Sequence, residues 1–407
     1  MVLKKYDVVI SGGGVVGCLA ALAIAQHTQF SVLIVEASDD NASTKTKAAR
    51  HAGFDARVIA LAAESLSTLR RLGVNVDDIL HYPISSIHVS DRGHIGQVVL
   101  DTKDLALDAL GKVVAIKTLG EHLLRLIEAM PQVSIIRPAR IQSIDRQQDS
   151  HLIRLASNEP LSLECKLLLV SEGGQSNTRQ LLNTHADTYD YEQTAVITNV
   201  KTQIAHSGVA YERFTTQGPI AFLPMANAQD ANSDCYMSVV WCLQRERAAA
   251  KLALSDKDFL AQLQSLFGNK LGRLESSSER FSYPLILSQT KDFAQHRTLF
   301  IGNAAQNLHP IAGQGFNLGI RDVMQLVDAL KRVDDAGAFA CTQAYKKMRV
   351  SDKQATIKAT GTLVSVFSNQ FLPMVIGRNI GLLGLNTLAE AKARFARFAM
   401  GVRDVSK

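Results

Sequence analysis

The sequence predicts an α/β protein: a Rossmann-like dinucleotide-binding domain, an inserted and mostly antiparallel β-sheet domain, and a helical C-terminal region. Three observations predict it. An apolar, β-rich run at residues 6–10 leads through Ser11-Gly12-Gly13-Gly14-Val15-Val16-Gly17 into a helical pattern over 19–26, a second apolar run over 31–35 and the acid Glu36. From residue 194 to 241 the pattern changes to strands of aromatic content (195–200, 209–215, 220–224 and 235–242) with no glycine-rich turn. Residues 298–301 then form an apolar strand that meets a helix through a loop rich in glycine and amide side chains, running from Gly302 to Gly319.

Each element has a physical reason. In a strand–turn–helix unit of the first kind, Gly12 permits the tight turn, Gly14 lets a pyrophosphate approach the backbone, and Gly17 lets the helix pack on the strand. Glu36 lies about 20 residues past the glycines, the place from which an acid accepts hydrogen bonds from the ribose of an adenosine. A site at the N-terminal end favours permanently bound FAD over a nicotinamide that comes and goes. In the second loop, glycine removes the Cβ that would hold off a flat ligand. The helix that follows aims its N–H groups and positive dipole end into the loop. An isoalloxazine suits such a place, because its N1–C2=O edge gains negative charge on reduction. A glycine-rich helix start with no ligand is the alternative.

Composition narrows the classes. The 407 residues, 46% of them hydrophobic, are enough for two or three domains. No apolar run reaches the roughly 18 residues of a membrane-spanning helix, and residues 1–5 are too short for a signal peptide, so a cytoplasmic protein is expected. Cys18, Cys165, Cys235, Cys242 and Cys341 show no C-x-x-C spacing and read as reduced core residues, with no metal set. A net charge of +6, with Lys and Arg dispersed, suits an anionic cofactor or an anionic membrane surface and excludes a nucleic-acid partner.

Between the two glycine loops the pattern predicts a helix over 58–72 closed by Gly73, half-buried strands at 85–89 and 97–100, an amphipathic helix over 119–129 and a small meander over 133–157. A buried strand over 167–170 ends in Ser171-Glu172-Gly173-Gly174. Covering helices follow at 248–267, and further helices at 315–330, 338–359 and, mostly apolar, 361–388. Arg50 or Arg57 could reach a pyrophosphate, and either could be a solvated surface charge.

Taken together, the GxGxxG turn, the Glu172-Gly173 turn and the loop from Gly302 to Gly319 resemble the group A flavoprotein aromatic hydroxylases, and within them the ubiquinone-biosynthesis branch. Tyr191-Glu192-Gln193-Thr194-Ala195-Val196-Ile197, Tyr211-Glu212-Arg213-Phe214, the segment from Gly218 to Met225, the segment from His88 to His94 and Val375-Ile376-Gly377-Arg378-Asn379-Ile380-Gly381-Leu382 also resemble that branch, so the likeness covers essentially the whole chain. Two positions depart from the wider family: Glu172 stands where aspartate is usual, and Asn303 where the loop usually carries aspartate.

The resemblance implies a fold of the para-hydroxybenzoate hydroxylase type. On it, residues 1–80, 101–176 and 284–350 form the FAD-binding domain, 81–100 and 177–283 the substrate domain, and 351–407 a C-terminal helical region. It implies hydroxylation of a polyprenylated phenol, a 2-polyprenyl-6-methoxyphenol, by FAD that is reduced by NADPH (or NADH) and takes up O2 as a hydroperoxide. Gly12, Gly14, Gly17, Glu36, Arg57, Glu172, Gly173, Asn303, Pro310, Gly313, Gly315, Phe316 and Asn317 are then the FAD-site candidates. Gly313, Gly315, Phe316 and Asn317 would give backbone donors, and Pro310 would sit over the ring. With one GxGxxG, NADPH is expected to dock in a surface groove. His309 and Pro310 are the catalytic candidates, though a histidine before proline serves as readily as a hydrogen-bonding spacer. Tyr211, Arg213, Phe222, Pro224 and Met225 are candidate walls of the substrate cavity, and core packing explains them equally well. The polyprenyl tail needs an apolar channel or a membrane surface, so residues 371–388 are expected to lie at the inner membrane, meet other ubiquinone-biosynthesis proteins, or pack on the nucleotide domain. A flavoenzyme acting on another phenol or ring position, and a non-catalytic flavin-binding component of a biosynthetic complex, are the rival readings.

Overall fold

The first strand, Lys4–Ser11, lies at the centre of a sheet because Val8, Val9 and Ile10 have no polar edge to offer water and are wholly buried. The structure, a computed structural model, describes residues 3–38, 57–157, 161–174, 176–227, 233–310, 313–368 and 372–399. Parallel partners flank the first strand, Val32–Val35 on one side and Leu161–Val170 on the other. Thr298–Phe300 and Val133–Ile136 extend the sheet, also in parallel. Strands buried on both faces need continuous apolar runs, and Leu167-Leu168-Leu169-Val170 is one. Residues 133–157 are only partly a meander. Ala139–Arg146 and His151–Ser157 form an antiparallel hairpin beside Leu161–Val170, whereas Val133–Ile136 joins the parallel core.

The described helices, numbered in chain order, are α1 (Val15–His27), α2 (Ala63–Arg71), α3 (Ile116–Glu128), α4 (Asn177–Leu181), α5 (Arg245–Leu252), α6 (Asp256–Phe267), α7 (Gln314–Leu330), α8 (Phe339–Ser368), α9 (Leu372–Thr387) and α10 (Ala389–Ala399). The helix expected over residues 58–72 is corrected: Val58–Ala62 is a strand and only Ala63–Arg71 is helical. Val-Ile-Ala-Leu-Ala fits either period, and pairing with Gly111–Ala115 decides it. With His81–Ile84, these strands make a small separate sheet.

The second large sheet runs, edge to edge, through Gln306–Asn307, Phe281–Thr290, Ala186–Thr202, Tyr236–Gln244, Ile220–Met225, Val209–Phe214, Ser86–Asp91 and Gln97–Asp101. It is antiparallel except where Val209–Phe214 lies parallel to Ser86–Asp91. Its two faces differ. One is sealed by α5 and α6, where Val196, Phe222, Val239 and Trp241 pack with Phe259, Leu263 and Phe267. On the other, Val89, Glu212, Ala221, Val240 and Ile197 stand in one transverse row, all half-buried.

The single apolar helix expected over 361–388 is divided: α8 continues to Ser368 and α9 starts at Leu372. Pro373 suits only the first turn of a helix, so the chain restarts there. The α9 helix docks on the Ser86–Asp91/Gln97–Asp101 hairpin, and not on the nucleotide sheet. Arg378 donates from Nε to Asp91 Oδ2 at 2.7 Å, Asn379 Oδ1 accepts from Gly96 N at 2.8 Å, and Asn386 Oδ1 accepts from Val99 N at 3.3 Å, which covers the sheet's edge strand. No described helix is long and apolar enough to cross a membrane.

A buried ionic cluster joins α7 to α8. Asp322, with no exposed surface, accepts from Gly302 N (2.8 Å), Gln306 Nε2 (3.0 Å) and Arg349 Nε (2.6 Å), and Arg349 also binds Asp352. Burial pushes the Asp322 carboxyl up, but Arg349, Lys353 and the two hydrogen bonds outweigh it and hold it below the usual carboxylate range. Removing one member of such a cluster leaves an uncompensated buried charge. Asp322→Ala is therefore expected to lower unfolding stability by about 3–5 kcal/mol in denaturant titration.

Candidate functional site: a two-loop cofactor cradle and its cleft

The first loop is shaped by contacts that leave no room for side chains. Gly12 sits at φ +106°, and a Cβ there would lie 2.9 Å from Glu172 N and the Ser171 carbonyl carbon. A Cβ on Gly17 would lie 2.0 Å from Gly12 O. Both glycines are thus demanded by the crossing of the first strand, α1 and the turn after Val170. Gly14 is the N-cap of α1 and brings no side-chain cap, so the first N–H groups of the helix face the turn. Glu36 leaves the end of its strand beside this turn: Oε2 accepts from Gly13 N at 2.6 Å, and Oε1 accepts from Ser38 N at 2.8 Å.

The second loop is laid against the first. Gly302 and Gly319 both press on Val16 of α1, and Cβ atoms there would come within 3.2 and 3.1 Å of its methyl groups. Asn303 is exposed, with no hydrogen bond from its side chain among the described residues. Gln306–Asn307 pairs with Ser288–Gln289 and so ties the loop to the second large sheet. His309 is 2% exposed, reaches Gln193 Oε1 at 3.2 Å and stacks edge-on against Tyr191 at 5.1 Å. Burial lowers its imidazole to about 4, so it is neutral at physiological pH. Pro310 O accepts from Gly313 N at 3.0 Å; Gly313, at φ +60°, caps α7 without a side-chain hydrogen bond. A Cβ added to Gly315 or Gly173 meets nothing within 4 Å. Phe316 packs on the nucleotide-domain core. The Asn317 side chain is a clasp: it donates to Ala60 O and Gly313 O and accepts from Ala62 N, at 2.8–3.0 Å.

Other candidate side chains have partners within the protein. The Glu172 carboxylate is committed to protein, accepting from Ser11 Oγ, Ser176 Oγ (2.8 Å), Thr178 N (2.9 Å) and Thr178 Oγ1. Arg57 lies over the Tyr283 ring at 4.6 Å, while Arg50 falls outside the described residues. Four of the five cavity-wall candidates are corrected, because strand alternation turns them towards α6. Phe222 stacks on Phe267 at 4.0 Å, Tyr211 meets the same ring edge-on at 5.3 Å, Arg213 donates to Leu266 O at 2.9 Å, and Pro224 shares their face through its Met237 pairing. Met225 alternates to the other face, half-buried.

That other face forms a cleft wall. It meets the second loop where Gln193 touches His309, and a cavity of ≈60 Å³ opens beside Asn317, lined by Ala60, Ala62, Ile87 and Leu100. Sequence reasoning missed Gln193, Asp322 and Arg349. Asp322 is an acid on an otherwise apolar helix stripe, and nothing in the sequence pairs it with Arg349.

Two uncapped helix N-termini converging on glycine-lined space fit an anionic dinucleotide carrying a flat ring. Residues 5–360 match the FAD binding domain family. The chain is 31% identical to ubiquinone hydroxylase UbiL of Rhodospirillum rubrum, over 98% of this chain and 90% of that protein. It is 27% identical to 3-demethoxyubiquinol 3-hydroxylase of Escherichia coli, over 99% and 100%. In fold it is similar to p-nitrophenol 4-monooxygenase PnpA of Pseudomonas putida, with a TM-score of 0.77 at 18% identity, covering 99% of this chain and 100% of that one. If the space at Gly315 belongs to the cofactor, Gly315→Val is expected to weaken FAD binding at least tenfold by fluorescence titration. Apoprotein stability should then stay within about 1 kcal/mol of the parent, the scale of a helix-propensity change.

Proposed function

The chain belongs to the FAD binding domain family and is an FAD-dependent aromatic-ring monooxygenase, and from that premise we propose that it hydroxylates a polyprenylated phenol, a 2-polyprenyl-6-methoxyphenol, in ubiquinone biosynthesis. NADPH (or NADH) is the electron donor and O2 the oxygen source. The observation that carries the reading is the half-buried, largely apolar sheet face opposed to the second glycine loop. A prenylated ring fits that face, because burying each CH2 contributes about 0.8 kcal/mol.

The chain's own residues hold and orient. The amides at the start of α1 and the turn at Gly12 and Gly14 would receive the pyrophosphate, and Glu36 would accept from the adenosine ribose. Asn303 offers an amide to a ribityl hydroxyl. The α7 amides at Gly315 and Phe316, after the Gly313 cap, would serve the pyrimidine edge of the flavin, and Pro310 would lie beside its ring. When bound and reduced, FAD supplies an activated oxygen atom that the protein cannot make from its own side chains. NADPH uses a surface groove. Asp322 holds Gly302 and Gln306 in place throughout. Glu172 holds Ser11 and Thr178, and through them the backbone beside Gly12 and Gly173.

The tail favours peripheral contact with a membrane from the cytoplasmic side. On α9, Arg378 and Asn379 face inward while Ile380 is 64% exposed, and Ile95 in the neighbouring hairpin turn is 79% exposed. Ile95→Ser/Ile380→Ser is expected to reduce sedimentation with anionic liposomes, and unchanged sedimentation removes that contact.

The pathway assignment is tested by deleting the gene and following quinone precursors by mass spectrometry. Accumulation of the methoxyphenol is the expected outcome. Accumulation of another precursor overturns the substrate and leaves the flavin chemistry standing.

A further inference from the structure

On the cleft face of the second sheet, apolar contact comes in two blocks. Ala195, Cys242, Leu285, Tyr191, Ile197 and Val240 make one, on the His309 side. Val89, Ala210, Leu223, Ile87 and Ala60 belong to the other, on the Asn317 side. Between them, in the row Val89–Glu212–Ala221–Val240–Ile197, stands Glu212. Its carboxylate makes no hydrogen bond or ion pair among the described residues, yet it stands half-buried in an otherwise apolar row. An unpaired carboxylate at such a place is unfavourable for folding. Nothing in the packing of the sheet requires it: its row is otherwise Val, Ala, Val and Ile.

We propose that Glu212 is the catalytic residue that accepts the hydrogen bond, and then the proton, of the substrate's phenolic hydroxyl. The inference rests on the phenol-hydroxylase reading above. A carboxylate with open lone pairs in an apolar cleft seeks a donor, and the phenol is the one donor group that such a substrate brings into the cleft. The step balances as follows. The O–H proton passes to a Glu212 oxygen and leaves a phenolate. The phenolate's electron pair drives the ring carbon onto the oxygen atom delivered through the cofactor, giving a hydroxylated cyclohexadienone. The C–H proton at that carbon leaves to water, and Glu212 returns its proton to the carbonyl oxygen, restoring the aromatic ring and the carboxylate. O2 is the oxidant, NADPH supplies two electrons, and the second oxygen atom departs as water.

The charge environment agrees. Burial raises the Glu212 carboxyl from the usual carboxylate range to about 7, where a base serves best at neutral pH. Of the other titratable groups on this face, Cys242 is buried and its thiol is held high by burial and by Glu212, the Tyr191 hydroxyl is raised by burial and its ring stacks edge-on against the neutral His309, Asp91 is paired with Arg378, and Tyr283 lies under Arg57.

The test uses the FAD-loaded enzyme, NADPH and 2-methoxy-6-prenylphenol as the probe. In the parent enzyme, kcat/KM for the probe rises with pH through about 7. Glu212→Gln is expected to lower it by about a hundredfold or more and to abolish that limb, while FAD content stays at the parent level. Glu212→Asp keeps the limb at an intermediate rate. An independent readout comes from stability. The folded-state value of this acid lies above its unfolded value, so its ionisation withdraws stability as pH rises from about 4.5 to about 7. Glu212→Gln should therefore melt higher than the parent at pH 8, with the difference shrinking by pH 5. A Gln variant whose turnover and pH profile stay within twofold of the parent overturns the role of Glu212. A parent holoenzyme that leaves this probe and longer-tailed phenols unhydroxylated overturns the hydroxylase reading instead.

Discussion

Everything at the cofactor cradle depends on Val16 being gripped between Gly302 and Gly319. The contact joins the first helix of the chain to a loop near its other end, and it exists because neither glycine carries a Cβ to block it. Asp322, one helical turn past Gly319, then holds Gly302 by its amide, so the loop has one distance at which to stand from α1. The two helix N-termini are fixed relative to one another by that arrangement, and a ligand spanning both meets amides already in place. Pre-positioned donors of this kind cost no reorganisation when charge develops on a bound ring.

Much of this was legible in the sequence, because close approach of backbones leaves glycines at fixed spacing. Gly12 and Gly17 are positions where any side chain collides, and that requirement shows in the residue string itself. Strand faces were harder. Alternation reveals that Val209–Phe214 and Ile220–Met225 each have two faces, but it does not say which face a distant helix will cover. Tyr211 and Phe222 resembled cavity walls and instead form the floor beneath α6. Residues 58–62 failed for a related reason: a five-residue apolar run has no period of its own until Gly111–Ala115 supplies a partner. Glu212 lay inside a quoted motif, but its isolation becomes visible only when five strands are set side by side.

The two buried ionic groups divide the labour between the domains. Asp322 with Arg349 fixes the cradle, and Asp91 with Arg378 and Asn379 fixes the C-terminal helices over the cleft sheet. Each uses arginine, whose planar donors can serve several acceptors at once. Each also binds a segment of irregular backbone, at Gly302 and at Gly96, that apolar packing alone would leave poorly defined. Such pairs are weak sources of net stability against an apolar replacement. Here they fix where two loops stand.

The latch at Asp91 also sets an order of events as the chain is made. Its carboxylate belongs to an early hairpin, yet the guanidinium that neutralises it follows 287 residues later. Until that arginine emerges from the ribosome, the outermost strand keeps bare amides and an unsatisfied acid, a state that invites pairing with other chains. A nascent or truncated protein thus carries a chemical sign of incompleteness, erased only when its final helices arrive.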